Sequence, residues 1–134
     1  MTVCSAGDCR AYRVRRNQLE QMTTDDSWVQ EAFSAGALSL KRLQEHPLRN
    51  IVTKAVGAKE TIDIEVIEAT MEQGDLYLLC SDGLHDMIPD SSILEIVSSA
   101  DGNLQRNVAD LIAAANEGGG KDNITALLVR YGSS

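Results

Sequence analysis

Apolar residues recur in short runs along this chain, and turn-forming residues separate the runs. Residues 2–6 and 9–14 flank the pair Gly7 and Asp8, which predicts a β-hairpin at the start of the chain. The run Leu76–Cys80 is almost continuously apolar, as is typical of a strand that is covered on both faces. Residues 124–131 form another β-rich run near the end of the chain.

Helices are predicted in two other parts of the chain. Apolar residues at helical spacing follow two candidate caps, the stretch Pro89–Ser91 and Asn103, and each of these two regions predicts a helix. Two shorter helices are predicted within residues 24–50, which we interpret as a small helical insertion. Residues 50–57 and 62–66 are β-rich and supply further predicted strands between this insertion and the middle of the chain.

The resulting order of elements is strands, small helices, strands, two helices and a last strand. This order is neither all helical nor a regular alternation of strand and helix, so it predicts an α+β fold. The 134 residues are 43% hydrophobic and 24% charged, which is typical of a globular domain with an apolar core. A single domain over residues 1–134 is therefore expected.

Charge and cysteine content exclude several classes of protein. The formal net charge of −8 argues against nucleic-acid binding, because that binding depends on clustered Lys and Arg. No apolar stretch is long enough to span a bilayer, so no membrane association is expected. Cys4, Cys9 and Cys80 are odd in number and include no CxxC pair, which indicates neither a disulfide framework nor a zinc site. A cytoplasmic setting is predicted, with Cys80 in the core.

Two acidic loops are the candidates for chemistry. Asp82 directly follows the strand at 76–80, and Asp122 directly precedes the β-rich run at 124–131. If these strands are antiparallel neighbours, both carboxylates emerge at the same edge of the sheet. Carboxylate oxygens suit Mg²⁺ or Mn²⁺, whereas the lack of nearby Cys and His ligands argues against zinc. From spacing alone, Asp-Gly and Asp-Asn pairs are more often turn formers than metal ligands.

Sequence motifs along nearly the whole chain resemble those of one enzyme family. Residues 7–12 read Gly-Asp-Cys-Arg-Ala-Tyr, and residues 119–125 read Gly-Gly-Lys-Asp-Asn-Ile-Thr. With three other stretches in the same order, these segments resemble motifs of the type 2C, or PPM, protein phosphatases. The five segments are residues 7–12, 24–27, 46–57, 74–84 and 119–125. The chain departs from the family pattern at Cys9, where serine is usual, and at Asp26, where histidine is usual.

The resemblance implies a fold, a reaction and a set of site residues. The implied fold is part of a β-sandwich flanked by helices, with residues 24–50 as a flap beside the active site. The implied reaction is hydrolysis of phosphoserine and phosphothreonine in proteins, which depends on a dinuclear Mg²⁺ or Mn²⁺ centre. Asp82 and Asp122 match two of its metal ligands. Arg49, in the flap, is a candidate for substrate binding, although a structural ion pair is the more common role of such an arginine.

The resemblance also implies that part of the site is missing. In the family, the other carboxylate ligands and a phosphate-binding arginine come from motifs that precede the Gly-Asp segment, and only six residues precede Gly7. No catalytic residue is therefore assigned, and the chain alone is expected to bind metal weakly and to hydrolyse phosphoprotein little. Expected partners are a phosphoprotein, an N-terminal phosphatase segment or a second copy. The alternative is a regulatory module that binds phosphoprotein without hydrolysis.

Overall fold

A computed structural model describes residues 1–26, 60–62, 64–99 and 102–132. Most of the predicted flap, including Arg49, and the predicted strand at 50–57 lie outside the described residues. The described elements, in chain order, are β1 (Thr2–Ser5), β2 (Arg10–Arg15), β3 (Gln18–Gln21), β4 (Glu65–Glu68), β5 (Leu76–Cys80), α1 (Asp82–His85), α2 (Asp90–Val97), α3 (Leu104–Glu117) and β6 (Ala126–Arg130). Strands and helices segregate along the chain, which confirms the predicted α+β class.

The strands form two antiparallel sheets. The larger sheet has four strands in the order β3-β2-β5-β6, and the smaller sheet pairs β1 with β4. The strand predicted at 62–66 lies further along the chain than expected, and β4 covers Glu65–Glu68. The terminal strand β6 lies within the run predicted at 124–131.

The predicted opening hairpin is wrong. Strand β1 pairs with β4 in the other sheet, with Thr2 opposite Glu68, so the turn at Gly7 and Asp8 carries the chain from one sheet to the other. The hairpin partner of β2 is instead β3, across a turn in which Arg16 and Asn17 both have positive φ angles of 51° and 59°. Two such residues in succession give a turn whose twist matches a hairpin. The sequence pattern missed β3 because its residues are mostly polar.

The four-stranded sheet has one covered face and one open face. Helices α2 and α3 pack on the covered face, where Leu78 and Leu111 are fully buried. On the opposite face the cross-strand partners Leu79 and Leu127 are 42% and 56% exposed. The prediction that Leu76–Cys80 is covered on both faces is therefore wrong at Leu79, because no described element packs over it. We call this surface, with Val129 beside Leu127, the open face.

A buried ion pair fixes the chain where it enters β5. Asp75 is only 2% exposed, and its carboxylate accepts hydrogen bonds from Arg15 Nε at 2.8 Å and Arg15 Nη2 at 2.7 Å. The Tyr77 hydroxyl and the Glu72 backbone N–H also donate to it, both at 2.8 Å. These bonds, with that from Arg15 first, hold the pKa of Asp75 well below its usual range. The pair ties the end of β2 to the start of β5.

Both predicted helices of the second half are confirmed. Helix α2 follows Pro89, and α3 follows Asn103, whose side chain accepts a hydrogen bond from the Arg106 backbone N–H at 3.1 Å. The buried Asn107 of α3 donates to the Val97 carbonyl of α2 at 3.2 Å and accepts from the Ser99 hydroxyl at 2.7 Å. A buried polar side chain thus joins the two helices. None of the helices in the described ranges is long and apolar enough to cross a membrane.

The ends of β5 and β6 are joined through Ser81. Its backbone N–H donates to the Thr125 carbonyl at 3.1 Å, and its hydroxyl accepts from the Thr125 N–H at 3.0 Å. The same hydroxyl donates to the Asn123 carbonyl at 3.0 Å. Beside this junction, Gly83 lies so close to Asn123 that a Cβ on the glycine would be 2.3 Å from the carbonyl oxygen. Only glycine permits this approach.

Adjacent leucines of β5 provide a test of the two sheet faces. Leu78→Ala removes a fully buried side chain and is expected to lower the free energy of unfolding by about 2–5 kcal/mol. Leu79→Ala acts on the open face and is expected to cost less than about 1 kcal/mol. Urea unfolding followed by circular dichroism measures both changes. Equal losses would show that the open face is covered in solution.

Gly83→Ala tests the contact between the two loops. The new methyl group would overlap the Asn123 carbonyl, so the backbone must shift, and we expect a loss of about 1–3 kcal/mol in the free energy of unfolding. Ser91→Ala on the exposed side of α2 is the control, with a change within about 0.5 kcal/mol. Urea unfolding measures both variants. A Gly83→Ala protein as stable as the wild type would mean that the two loops are not in contact.

Candidate metal centre

Asp82 stands at the start of α1, directly after β5. The sequence predicted a loop here, but Asp82–His85 forms one helical turn, which is too short for apolar periodicity to reveal. The Asp82 Oδ1 atom accepts a hydrogen bond from the Gly83 backbone N–H at 2.8 Å. The carboxylate is thereby oriented by its own backbone at the end of a buried strand.

Asp122 lies at the same edge of the sheet as Asp82, but it precedes its strand in the chain instead of following it. It lies between the glycines that end α3 and the start of β6, and its Oδ1 atom accepts from the Asn123 N–H at 2.7 Å. Gly119 and Gly120 have φ angles of +133° and +52°, so the chain reverses there through conformations that residues with side chains rarely adopt. Asp122 is exposed, whereas Asp82 is half-buried.

The structure brings these two loops together. Strands β5 and β6 are antiparallel neighbours with Cys80 opposite Ala126, which is the arrangement that the sequence argument required. Gly83, next to Asp82, packs on the backbone carbonyl of Asn123, next to Asp122. Both carboxylates therefore emerge at the same edge of the sheet. Their role as metal ligands stays a prediction, and so does the role of Arg49 in substrate binding.

The donor chemistry of this edge suits a hard divalent cation, but the donor set is small. Asp82 and Asp122 offer carboxylate oxygens, which Mg²⁺ and Mn²⁺ prefer. Within the ranges that the structure describes, no group of three or more His, Cys, Asp or Glu side chains is arranged to hold a metal ion. The two carboxylates therefore fit part of a magnesium or manganese site.

Asp8 is a third acidic residue at this edge, although its sequence context predicts only a turn. Burial raises the pKa of its carboxyl group, and the nearby negative charge of Asp82 raises it further. The pKa of the Cys9 thiol is also raised, first by burial and then by Asp8 and Asp82. The signal in the sequence was the Gly-Asp pair itself, but only the sheet-to-sheet crossing brings it beside Asp82.

A second polar network anchors the chain where the predicted flap begins. Arg10 donates to both carboxylate oxygens of Asp25, with Nε–Oδ1 and Nη2–Oδ2 distances of 2.9 and 2.6 Å. Its Nη1 atom donates to the Tyr12 hydroxyl at 3.0 Å, and that hydroxyl donates to Asp90 at 3.2 Å. The planar guanidinium therefore ties residues 23–26 to β2 and to the start of α2.

An apolar groove of about 480 Å³ lies beside the acidic edge, between β1 and the open face. Its lining includes all three cysteines, which are free thiols, together with Leu79 and Leu127. Cys80 is buried, which confirms its predicted place in the core, whereas Cys4 and Cys9 are exposed. The groove is thus continuous with the apolar open face, since Leu79 and Leu127 belong to both.

Comparison with known proteins reveals clear relatives, although no family model matches. The chain is 41% identical over 123 residues to protein phosphatase PhpP of Streptococcus pneumoniae, a match that covers 92% of this chain and 50% of the relative. It is 35% identical over 129 residues to serine/threonine phosphatase stp of Listeria welshimeri, covering 96% and 51%. The chain spans about half the length of the curated relatives that it matches.

Solved structures of phosphatases also superpose on this chain. A serine/threonine phosphatase of S. agalactiae superposes with a TM-score of 0.89 at 33% identity, covering 95% of this chain and 52% of that one. The PPM Ser-Thr phosphatase MsPP of Mycobacterium smegmatis gives 0.84 at 32%, covering 98% and 56%. The catalytic domain of the phosphatase PstP, solved in complex with two manganese ions, gives 0.75 at 32%, covering 95% and 51%. Over nearly its whole length, the chain is similar to PPM serine/threonine phosphatases, and this likeness is consistent with the C-terminal half of their domain.

Proposed function

We propose that this chain supplies one half of the metal site of a PPM phosphatase that hydrolyses phosphoserine and phosphothreonine in proteins. The observation that carries the proposal is the packing of Gly83, next to Asp82, against the backbone carbonyl of Asn123, next to Asp122. This contact holds Asp82 and Asp122 at one sheet edge, where their oxygens suit Mg²⁺ or Mn²⁺. A relative of the same family was solved in complex with two manganese ions.

In the proposed reaction, residues of this chain bind the cation and hold its ligands in place. Asp82 and Asp122 bind the cation, and hydrogen bonds of Ser81 hold together the two strand ends that carry them. Bound Mg²⁺ or Mn²⁺ would neutralise charge on the phosphoryl oxygens and lower the pKa of the attacking water. Asp8 adds a further negative charge beside Asp82, which strengthens the attraction for a divalent cation.

This chain alone is expected to bind the cation weakly and to be inactive or nearly so. Mg²⁺ requires near-octahedral oxygen coordination and gives up its waters reluctantly, and two carboxylates meet little of that requirement. Since the chain spans about half of its relatives, activity belongs to the complete domain.

The open face indicates what completes the domain. Leu79, Leu127 and Val129 present an apolar surface of the four-stranded sheet, and the groove of about 480 Å³ adjoins it. Exposed apolar surface of this kind marks an interaction site. We assign it to the other half of the phosphatase domain, because the relatives are about twice as long as this chain. Pairing with a second copy is the competing outcome, and it would supply no further type of ligand.

Metal binding tests the two carboxylates directly. Asp82→Asn and Asp122→Asn are each expected to weaken Mn²⁺ binding by at least about tenfold. The loss of a residue that only hydrogen-bonds to a metal ligand already has an effect of about that size, and these two carboxylates are the proposed ligands themselves. The control is Asp110→Asn, which makes the same chemical change on the exposed side of α3 and is expected to leave Mn²⁺ binding unchanged. Electron paramagnetic resonance of free Mn²⁺ measures the affinities. Equal binding by all four proteins would refute the proposed site.

A chimera tests the proposed activity. The half of the S. pneumoniae relative that this chain does not match is fused in front of residue 1, and hydrolysis of a phosphothreonine peptide is measured with Mn²⁺. The chimera is expected to be active, its Asp82→Asn variant to be at least about a hundredfold slower, and the chain alone to be inactive. A folded but inactive chimera, together with phosphopeptide binding by the chain alone, would favour the non-catalytic module.

A further inference from the structure

The turn at residues 7–9 places Asp8 beside Asp82, yet strand pairing does not hold this turn. The ladder of β1 ends at Ser5, and the ladder of β2 begins at Arg10. Gly7 has a φ angle of +101°, which lets the chain cross from the two-stranded sheet to the four-stranded sheet. The position of the turn therefore depends on contacts from elsewhere in the chain.

His85 provides one of these contacts. Its side chain is only 3% exposed, and its Nε2 atom lies 3.0 Å from the Asp8 carbonyl oxygen. Because a carbonyl oxygen can only accept, Nε2 carries the hydrogen and donates it. His85 is the last residue of α1, and Asp82 is the first. One helical turn thus carries both the candidate ligand and the side chain that holds the Asp8 turn.

Asp26 provides the second contact. The Gly7 backbone N–H donates to Asp26 Oδ2 at 3.3 Å, and the Asp26 N–H donates to the Gly7 carbonyl at 2.8 Å. The turn is therefore held at Gly7 from one side and at Asp8 from the other. Both contacts come from residues distant in sequence, since 77 positions separate His85 from Asp8 and 19 separate Asp26 from Gly7.

We propose that His85 and Asp26 are positioning residues that hold the Gly7–Cys9 turn against α1 and so keep Asp8 beside Asp82. The inference rests on the proposed metal site at Asp82 and deepens it. It gives Asp26, where the family motif has histidine, a definite task. It also gives His85 a role in the site that does not involve direct contact with metal or substrate.

Electrostatics explains why such a clamp is needed. Burial raises the pKa of Asp8, and the negative charge of Asp82 raises it further, so the two carboxylates repel each other. When no cation is bound, the proposed clamp would hold the turn against this repulsion. The bond from His85 ends on a backbone carbonyl and the bonds of Asp26 end on a backbone amide and carbonyl, so both act whether or not the Asp8 carboxyl is charged.

Alkylation of Cys9 reports the position of the turn without any metal. The reporter protein carries Cys4→Ser, so that Cys9 is the exposed thiol and Cys80 stays buried. Burial and the charges of Asp8 and Asp82 raise the Cys9 pKa, so the thiol reacts slowly while the turn is held. His85→Leu and Asp26→Leu are each expected to speed iodoacetamide alkylation of Cys9 at least about threefold, because the freed turn moves the thiol away from these charges.

Conservative variants distinguish positioning from simple support of the fold. His85→Gln keeps an N–H donor and Asp26→Asn keeps an oxygen acceptor, so each is expected to alkylate within about twofold of the parent rate. Circular dichroism confirms that all four variants are folded at the assay temperature. A leucine variant that is folded and alkylates at the parent rate overturns the inference.

Mn²⁺ affinity then connects the clamp to the site. His85→Leu is expected to weaken Mn²⁺ binding by at least about threefold, and His85→Gln is expected to restore it. If Asp82→Asn weakens Mn²⁺ binding but His85→Leu does not, the clamp does not serve the site and the inference is overturned. If Asp82→Asn has no effect, the proposed metal site fails, and the Cys9 rates alone decide whether the clamp exists.

Discussion

The antiparallel pairing of β5 with β6 is the constraint on which both the core and the site depend. Its register places Leu78 opposite Leu128, with both side chains in the core, and Leu79 opposite Leu127 on the open face. A slip of one residue would exchange these faces, because side chains alternate along a strand. The same slip would remove Ser81 from Thr125 and Asn123 and separate the two loops that carry the acidic residues.

Strand β2 completes this arrangement through polar contacts at its two ends. At one end, Arg15 neutralises the buried Asp75 and fixes the entry to β5. At the other end, Arg10 holds Asp25 and, through Tyr12, reaches the start of α2. Because Asp75 is buried, removal of Arg15 would leave its charge uncompensated, whereas Arg10 and Asp25 are both partly exposed. The Arg10 network therefore lies at the end of β2 near the acidic edge, and the Arg15 pair lies at the opposite end of the strand.

The apolar surface is divided unequally between the two faces of the four-stranded sheet. One face is covered by helices, whereas the other presents leucine and valine beside an open groove. A sandwich of two sheets buries the inner faces of both, and the two-stranded sheet described here is too small to cover the larger one. This imbalance is the structural observation behind the proposed pairing with a second half-domain.

The amino-acid sequence by itself determined the fold class, the helices that follow Pro89 and Asn103, and the strand at Leu76–Cys80, because apolar periodicity and a cap residue such as Asn103 are local signals. It also indicated Asp82 and Asp122, whose motifs lie next to strand ends. Tertiary structure decided which strands pair, since the Gly7 turn joins two sheets and the polar strand β3 has no apolar signature. It also decided that Asp8, His85 and Asp26 meet near Asp82, because contacts across 19 and 77 positions leave no trace in local pattern.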